Sequence, residues 1–176
     1  MKRLMLLRHA KAVPDAPGGD HARTLNARGR EDSARMGGFL HVKALAPDHV
    51  LSSDATRTME TWQYLSPELG NVPPVDFLEG LYLASWKAIL NVIRAAPDTA
   101  TALLVIGHNP GLEEAALAVA HKPDSKDERA RFEALHEKFS TCTLAVFECD
   151  ITHWRALATG ANKLTAFVRA KELKNS

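Results

Sequence analysis

The sequence predicts a three-layer α/β/α fold with a mostly parallel central sheet and antiparallel strands along one edge. Three observations predict it. An apolar run of strand length, a tight polar or glycine-containing turn and a stretch with helical spacing recur in that order at three places. Strands that alternate with helices imply a parallel sheet covered on both faces. Near the end, two alternating segments separated by turn residues follow each other with no helix between them, as antiparallel edge strands do. At 176 residues, 45% of them hydrophobic, the chain is expected to form one domain over residues 1–176 with a core that needs no staple.

The first unit opens with RLMLLRHA (3–10), an apolar strand that breaks off in Arg8 and His9. After a loop, LNARGREDSARMGGFLHVKAL (25–45) has helical spacing, with Asn26 as cap and Met36, Phe39 and Leu40 on the buried face. The second unit is DHVLSS (48–53) followed by DATRTMETWQYL (54–65), with Ser53 or Asp54 expected to cap the helix. The third is TALLVIGHNPGLEEAALAVAH (101–121). Here Gly107 ends the strand, Pro110 suits a first helical turn, and Glu113 and Glu114 complement the helix dipole.

Between the second and third units, SPELGNVPPVDFLEGLY (66–82) reads as a proline-rich connection with a short strand at 75–78. A helix then starts at Ser85 and stops before Pro97. The charged stretch 121–139 reads as a solvated loop and a surface helix. CTLAVFECD (142–150) and WRALATGANKLTAFVR (154–169) are the edge strands. Cys142 and Cys149 fall on opposite faces of the first of them, as reduced, buried residues.

In open α/β sheets, ligands bind beyond the carboxyl ends of the strands. Arg8 and His9 lie just past the first strand, Arg57 in the first turn of the helix after the second, and Gly107, His108 and Asn109 just past the third. Such a rim gathers cationic side chains and helix N-termini, which suits a phosphoryl group. Three motifs in this order, LLRHAKA, SSDATRTMET and VIGHNPG, resemble those of the histidine phosphatase superfamily. Ala10 stands where the family's first motif usually has glycine. The compact length, GHNPGLEE and the closing GANKLTAFVR are most similar to SixA-type phosphohistidine phosphatases, and the resemblance implies a phosphoglycerate mutase-like fold.

The resemblance implies roles. His9 would attack phosphorus through a ring nitrogen and carry it as phosphohistidine until water releases it. Arg8, Arg57 and His108 would clamp the phosphoryl oxygens. The two arginines and a protonated His108 would keep His9 uncharged. Asn109 is read as a turn former that could donate to phosphate, and Arg23 as a residue that could reach over the site from the loop after His9. Ester hydrolysis needs an acid to protonate the leaving oxygen. Of Glu60, Glu68, Asp76, Glu79 and Asp98, only Glu79 is placed at the mouth by its position after a strand.

The expected activity is thus phosphohistidine hydrolysis without metal or other cofactor. The partner would be a phosphohistidine-carrying protein, such as a histidine phosphotransfer domain, or a small phosphorylated substrate. One alternative is a small-molecule phosphomonoesterase using Glu79 as acid. Another is a phosphate- or phosphoprotein-binding module without turnover. A net charge of +1 with no basic stripe argues against nucleic acid. No apolar run is long enough for a membrane span, and no leader is recognisable, so the cytoplasm is the expected compartment. The remaining histidines, His21, His41, His49, His121, His136 and His153, are scattered without zinc-ligand spacing, and no glycine-rich nucleotide loop occurs.

Overall fold

The structure, a computed structural model, describes residues 1–173. In chain order the elements are β1 (Lys2–Arg8), α1 (Ala27–Val42), β2 (His49–Ser53), α2 (Thr56–Leu65), β3 (Val75–Leu78), α3 (Trp86–Arg94), β4 (Ala102–Gly107), α4 (Gly111–Val119), α5 (Lys126–Glu137), β5 (Thr143–Cys149) and β6 (Lys163–Arg169). The six strands form one sheet in the order β3-β2-β4-β1-β5-β6. The four strands β3, β2, β4 and β1 run parallel, and β5 is antiparallel to both of its neighbours. This is the expected mixed sheet.

Strands β1 and β4 lie at its centre, and their unbroken apolar runs follow from burial on both faces. Leu4, Leu6, Leu103 and Val105 point into one core with Ile89, Leu90 and Ile93 of α3, Leu112 and Val119 of α4, and Leu135 of α5. Met5, Leu7, Leu104 and Ile106 point into the other, with Met36 and Leu40 of α1 and Trp62 and Leu65 of α2. The three layers are therefore α1 and α2, the sheet, and α3 to α5. Leu6 is fully buried. Trimming such a residue to alanine costs about 2–5 kcal/mol. Cys142 and Cys149 are free and buried in opposite cores.

Local chemistry explains most boundaries. The side chain of Asn26 accepts from the Gly29 N–H, Ser85 from Ala88 and Ser125 from Glu128, so α1, α3 and α5 each start on a capping residue. Two expectations are corrected. Helix α2 starts on Ala55 without a side-chain cap, because Ser53 and Asp54 are turned to other partners. Residues Trp154–Ala156 form a short 3-10 turn rather than strand. There the Trp154 N–H goes to Asp98 Oδ1 and its indole N–H to the Ala100 carbonyl, so neither joins a ladder.

Register fixes what reaches the rim. Arg8 pairs with Gly107, Ser52 with Ile106 and Ser53 with Leu78. Arg8, Gly107, Ser53 and Leu78 therefore form the last row of the parallel strands, and His9, His108, Asp54 and Glu79 are the residues that follow each. No helix among the described residues is long and apolar enough to cross a membrane.

Candidate active site

His9 leaves β1 with its N–H on the Gly107 carbonyl, tying the chain after β1 to the chain after β4. The residue is 7% exposed. Nδ1 lies 2.8 Å from the Ala10 carbonyl, an acceptor only, so Nδ1 carries the proton and Nε2 the lone pair. The Ala10 N–H donates to Thr61 Oγ1 at 3.0 Å on α2. Ala10 is fully buried in the α1/α2 core and is absent from the residues with left-handed backbone, so alanine fits without strain where a glycine is usual.

Facing Nε2 is Arg57, only 2% exposed, whose Nε–H is directed to it at 3.3 Å. The far edge of this guanidinium is held by one residue. Nη1 donates to the Asp20 carbonyl at 2.8 Å and Nη2 to Asp20 Oδ2 at 3.1 Å. Asp20 also accepts from the Tyr82 hydroxyl at 2.5 Å and from Arg23 Nε at 2.9 Å. These donors, Tyr82 first, hold its carboxyl down at about 2. Arg23 also donates to the Val13 carbonyl at 2.8 Å. It thus braces the loop that carries Asp20 and makes no hydrogen bond to His9 among the described residues.

His108 stands 5.3 Å from His9, ring centre to ring centre. Its Nε2 is 2.8 Å from Ser53 Oγ. That hydroxyl also accepts from the Ala55 N–H and keeps a second lone pair and its own hydrogen, so it can pair with either tautomer of His108. The ring of Tyr82 packs edge-on against His108 at 5.5 Å. Arg8 turns to the other side of the sheet, where Nη1 donates to the Phe139 carbonyl at 2.9 Å. Asn109 Nδ2 donates to that same carbonyl and to Glu113 Oε2, each at 2.9 Å, so its amide supports the turn. Among the described residues, three buried polar atoms around this centre have no partner: Arg8 Nε, His108 Nδ1 and Asn109 Oδ1.

Burial, reinforced by His108, Arg57 and Arg8, brings His9 down to about 3. Burial and Arg57 bring His108 to about 4, which corrects the expectation of a protonated ring there: beside two guanidiniums and out of water it is neutral near pH 7. The resting centre therefore holds two fixed cations and two uncharged imidazoles.

Glu79 follows β3 at the end of the last row, exposed, with no side-chain hydrogen bond among the described residues. Three strand spacings separate it from the β1 position, about 14 Å. Sequence reasoning missed Asp20, Tyr82, Ser53 and Thr61. A long loop in a compact α/β fold was a cue to Asp20, whereas Tyr82, Ser53 and Thr61 look like ordinary turn, strand and helix residues. A possible cation-ligand cluster, His121, Asp124 and Glu128, has donor atoms within 4.8 Å of one another. It lies at the opposite end of the sheet, beside a surface depression of about 450 Å³, and Glu128 is already bridged to Lys163 at 2.9 Å.

Comparison with known proteins agrees with this arrangement. The sequence pattern of the histidine phosphatase superfamily (branch 1) matches residues 4–87. An uncharacterized protein of Mycobacterium tuberculosis is 35% identical over 162 residues, 92% of this chain and 98% of that protein. One of Mycobacterium leprae is 31% identical over 166 residues, with the same coverage of each. Among solved structures, a SixA from Agrobacterium tumefaciens, proposed to be a phosphohistidine phosphatase, superposes with a TM-score of 0.76 at 27% identity, covering 95% of this chain and 97% of that one. A SixA from Nakamurella multipartitia, with the same proposed activity, gives 0.81 at 26% identity, covering 96% and 95%. With this phosphoglycerate mutase-like fold and these relatives, the chain belongs to the histidine phosphatase superfamily and is SixA-like.

Proposed function

We propose that the chain is a phosphatase that hydrolyses phosphohistidine on a partner protein through a covalent phosphohistidine on His9. The observation that carries this reading is the pair of buried polar atoms without a partner among the described residues, Arg8 Nε and His108 Nδ1, around a neutral ring whose Nε2 lone pair faces the Arg57 Nε–H at 3.3 Å. A buried donor without a partner costs about 1–3 kcal/mol. An arriving phosphoryl group would remove that cost and sit where Nε2 can attack.

As the His9 Nε2–P bond forms, the N–P bond to the leaving imidazole, protonated on its other ring nitrogen, breaks, its electron pair stays on that ring, and the ring departs neutral. Water then attacks phosphorus, and the electron pair of the N–P bond returns to Nε2. Arg57 Nε–H, the Arg8 guanidinium and His108 would carry the charge on the equatorial oxygens. A phosphoryl dianion beside His108 would favour its protonated form, so the third cation arrives with the substrate. The phosphodonor is read as a phosphohistidine-bearing domain because Glu79, the one carboxyl sought for ester cleavage, is exposed and makes no side-chain hydrogen bond among the described residues. The cytoplasm is the compartment where such a partner would be met.

The test is rapid quenching with radiolabelled phosphoramidate or phosphohistidine. An acid-labile, alkali-stable label is expected on the wild type and absent in His9→Ala. Hydrolysis without any labelled intermediate would overturn the proposal.

A further inference from the structure

Ser53 ends β2 fully buried and takes no part in the phosphoryl transfer itself. Its backbone carbonyl accepts from Ser52 Oγ at 2.9 Å and from Thr58 Oγ1 at 2.8 Å, and its own Oγ accepts from the Ala55 N–H at 3.3 Å. Main chain and side chain are thus pinned, and Oγ faces His108 Nε2 at 2.8 Å. The other ring nitrogen, Nδ1, is buried and has no partner among the described residues. His108 is therefore held by one nitrogen, and its partner there is a hydroxyl.

Titratable and charged groups face this ring from several elements. His9 follows β1, Arg8 ends it, Arg57 comes from α2, Tyr82 from the turn before α3, and Asp20 and His21 from the loop after β1. The two guanidiniums oppose a charge on His108 and Asp20 favours one, so the negative charge of a phosphoryl group beside Nδ1 would tip the ring toward its protonated form. A partner that served only one form would fail at that moment. A backbone N–H only donates and fits a neutral ring with its lone pair on Nε2, whereas a carboxylate only accepts and favours the charged ring throughout. A hydroxyl does both. With one lone pair on the Ala55 N–H, Ser53 Oγ keeps a hydrogen to give to a bare Nε2 and a second lone pair to accept from a protonated one.

We infer that Ser53 is a positioning residue that acts through His108, holding the ring in both charge states so that it becomes a cation when a phosphoryl group arrives and is neutral again when phosphate leaves. The inference rests on the reading of His108 as a phosphoryl ligand. On arrival one proton passes from solvent to the imidazole, so that Nδ1–H points to a phosphoryl oxygen and Nε2–H to Ser53 Oγ. On departure that proton returns to solvent, and no other covalent bond changes on either residue. Without the hydroxyl the charged ring would bury an N–H that has no acceptor. Hydrogen bonds to charged groups are about twice as strong as neutral ones, so the protonated form would lose most.

The experiment counts protons, with sulfate as the probe because it stays a dianion across the range used and brings no proton of its own. Calorimetric titration of the full wild-type chain at about pH 6, in buffers of different ionisation enthalpy, should show uptake of about one proton per sulfate, and His108→Gln should abolish it. Ser53→Ala should bind sulfate about tenfold more weakly and take up about half a proton or less. Ser53→Thr, which restores the hydroxyl, should recover the uptake. In turnover of phosphoramidate, the alkaline limb of kcat/KM should move about one pH unit lower in Ser53→Ala and stay in place in Ser53→Thr. An equal loss at every pH with proton uptake unchanged would make Ser53 a structural support and overturn the inference. A wild type that takes up no proton on titration with sulfate would overturn it too, whether or not the variants fold. Failure to label His9 from phosphoramidate would instead overturn the nucleophile, while the proton count still judges Ser53.

Discussion

Two buried imidazoles held uncharged make the protein's stability depend on pH in a window set by those rings. His9 titrates at about 3 and His108 at about 4 in the folded chain. In the unfolded chain both return to about 6.5. Below that pH the unfolded state binds protons that the folded state refuses, so stability is complete above about 6.5 and is lost as pH falls toward the folded values. Each ring contributes a slope of about 1.4 kcal/mol per pH unit, and the pair about 2.7. From pH 7 to pH 5 the loss comes to about 2 kcal/mol per ring and nearly 4 together, a large part of the roughly 5–15 kcal/mol typical of a domain. Depressed carboxyls such as Asp20 act in the same direction, but their losses fall mostly below about pH 5. Urea unfolding at pH 7, 6 and 5 measures the slope. His9→Gln and His108→Gln should each remove about half of it, whatever they do to stability at pH 7. Phosphate at saturating concentration should flatten it by about one proton, since the anion lets His108 charge in the folded state. A slope unchanged in the double variant would refute the neutral-ring description of the centre.

Arg57→Lys keeps the charge but cannot bond His9 and both acceptors of Asp20 at once. Its rate of His9 labelling should fall about a hundredfold in quenched-flow measurements. Glu79→Gln should leave turnover of both phosphoramidate and ester within about threefold, as an exposed side chain apart from the centre does, and a larger loss confined to esters would restore it as an acid. Gly111→Ala should lower stability by about 1–3 kcal/mol in urea, because a Cβ there would lie 1.9 Å from the Ala84 carbonyl. The same variant should weaken phosphate binding by calorimetry, since the displaced turn carries Tyr82 against His108.

Much of the layered fold could be read from the chain because each strand–helix unit keeps one period long enough to see. The unbroken run Leu4–Leu7 announces a strand buried on both faces, and Asn26, Ser85 and Ser125 announce the starts of their helices. Strand ends next to Arg8, His9, Arg57 and His108 located the rim for the same reason. Residues that act through tertiary contact were not legible. Ser53 looked like a cap because serine before a helical stretch usually is one, yet the register of β2 against β4 turns it to His108. Asp20 carried no local pattern at all, since its partners, Arg57 and Tyr82, lie 37 and 62 residues along the chain. The charge of His108 was misjudged because a sequence lists neighbours but not how much water they displace.

The shared last row of β1, β4, β2 and β3 has an evolutionary consequence. Backbone ladders set where His9 and His108 leave the sheet, so a relative that keeps Asp20 and Tyr82 in their places can lengthen or recolour the rest of the rim and acquire a new guest while the machinery stays in tune. A single-residue insertion inside β2 would do the reverse: it would flip Ser53 and every side chain beyond the insertion to the wrong face and silence the centre without touching one of its own residues.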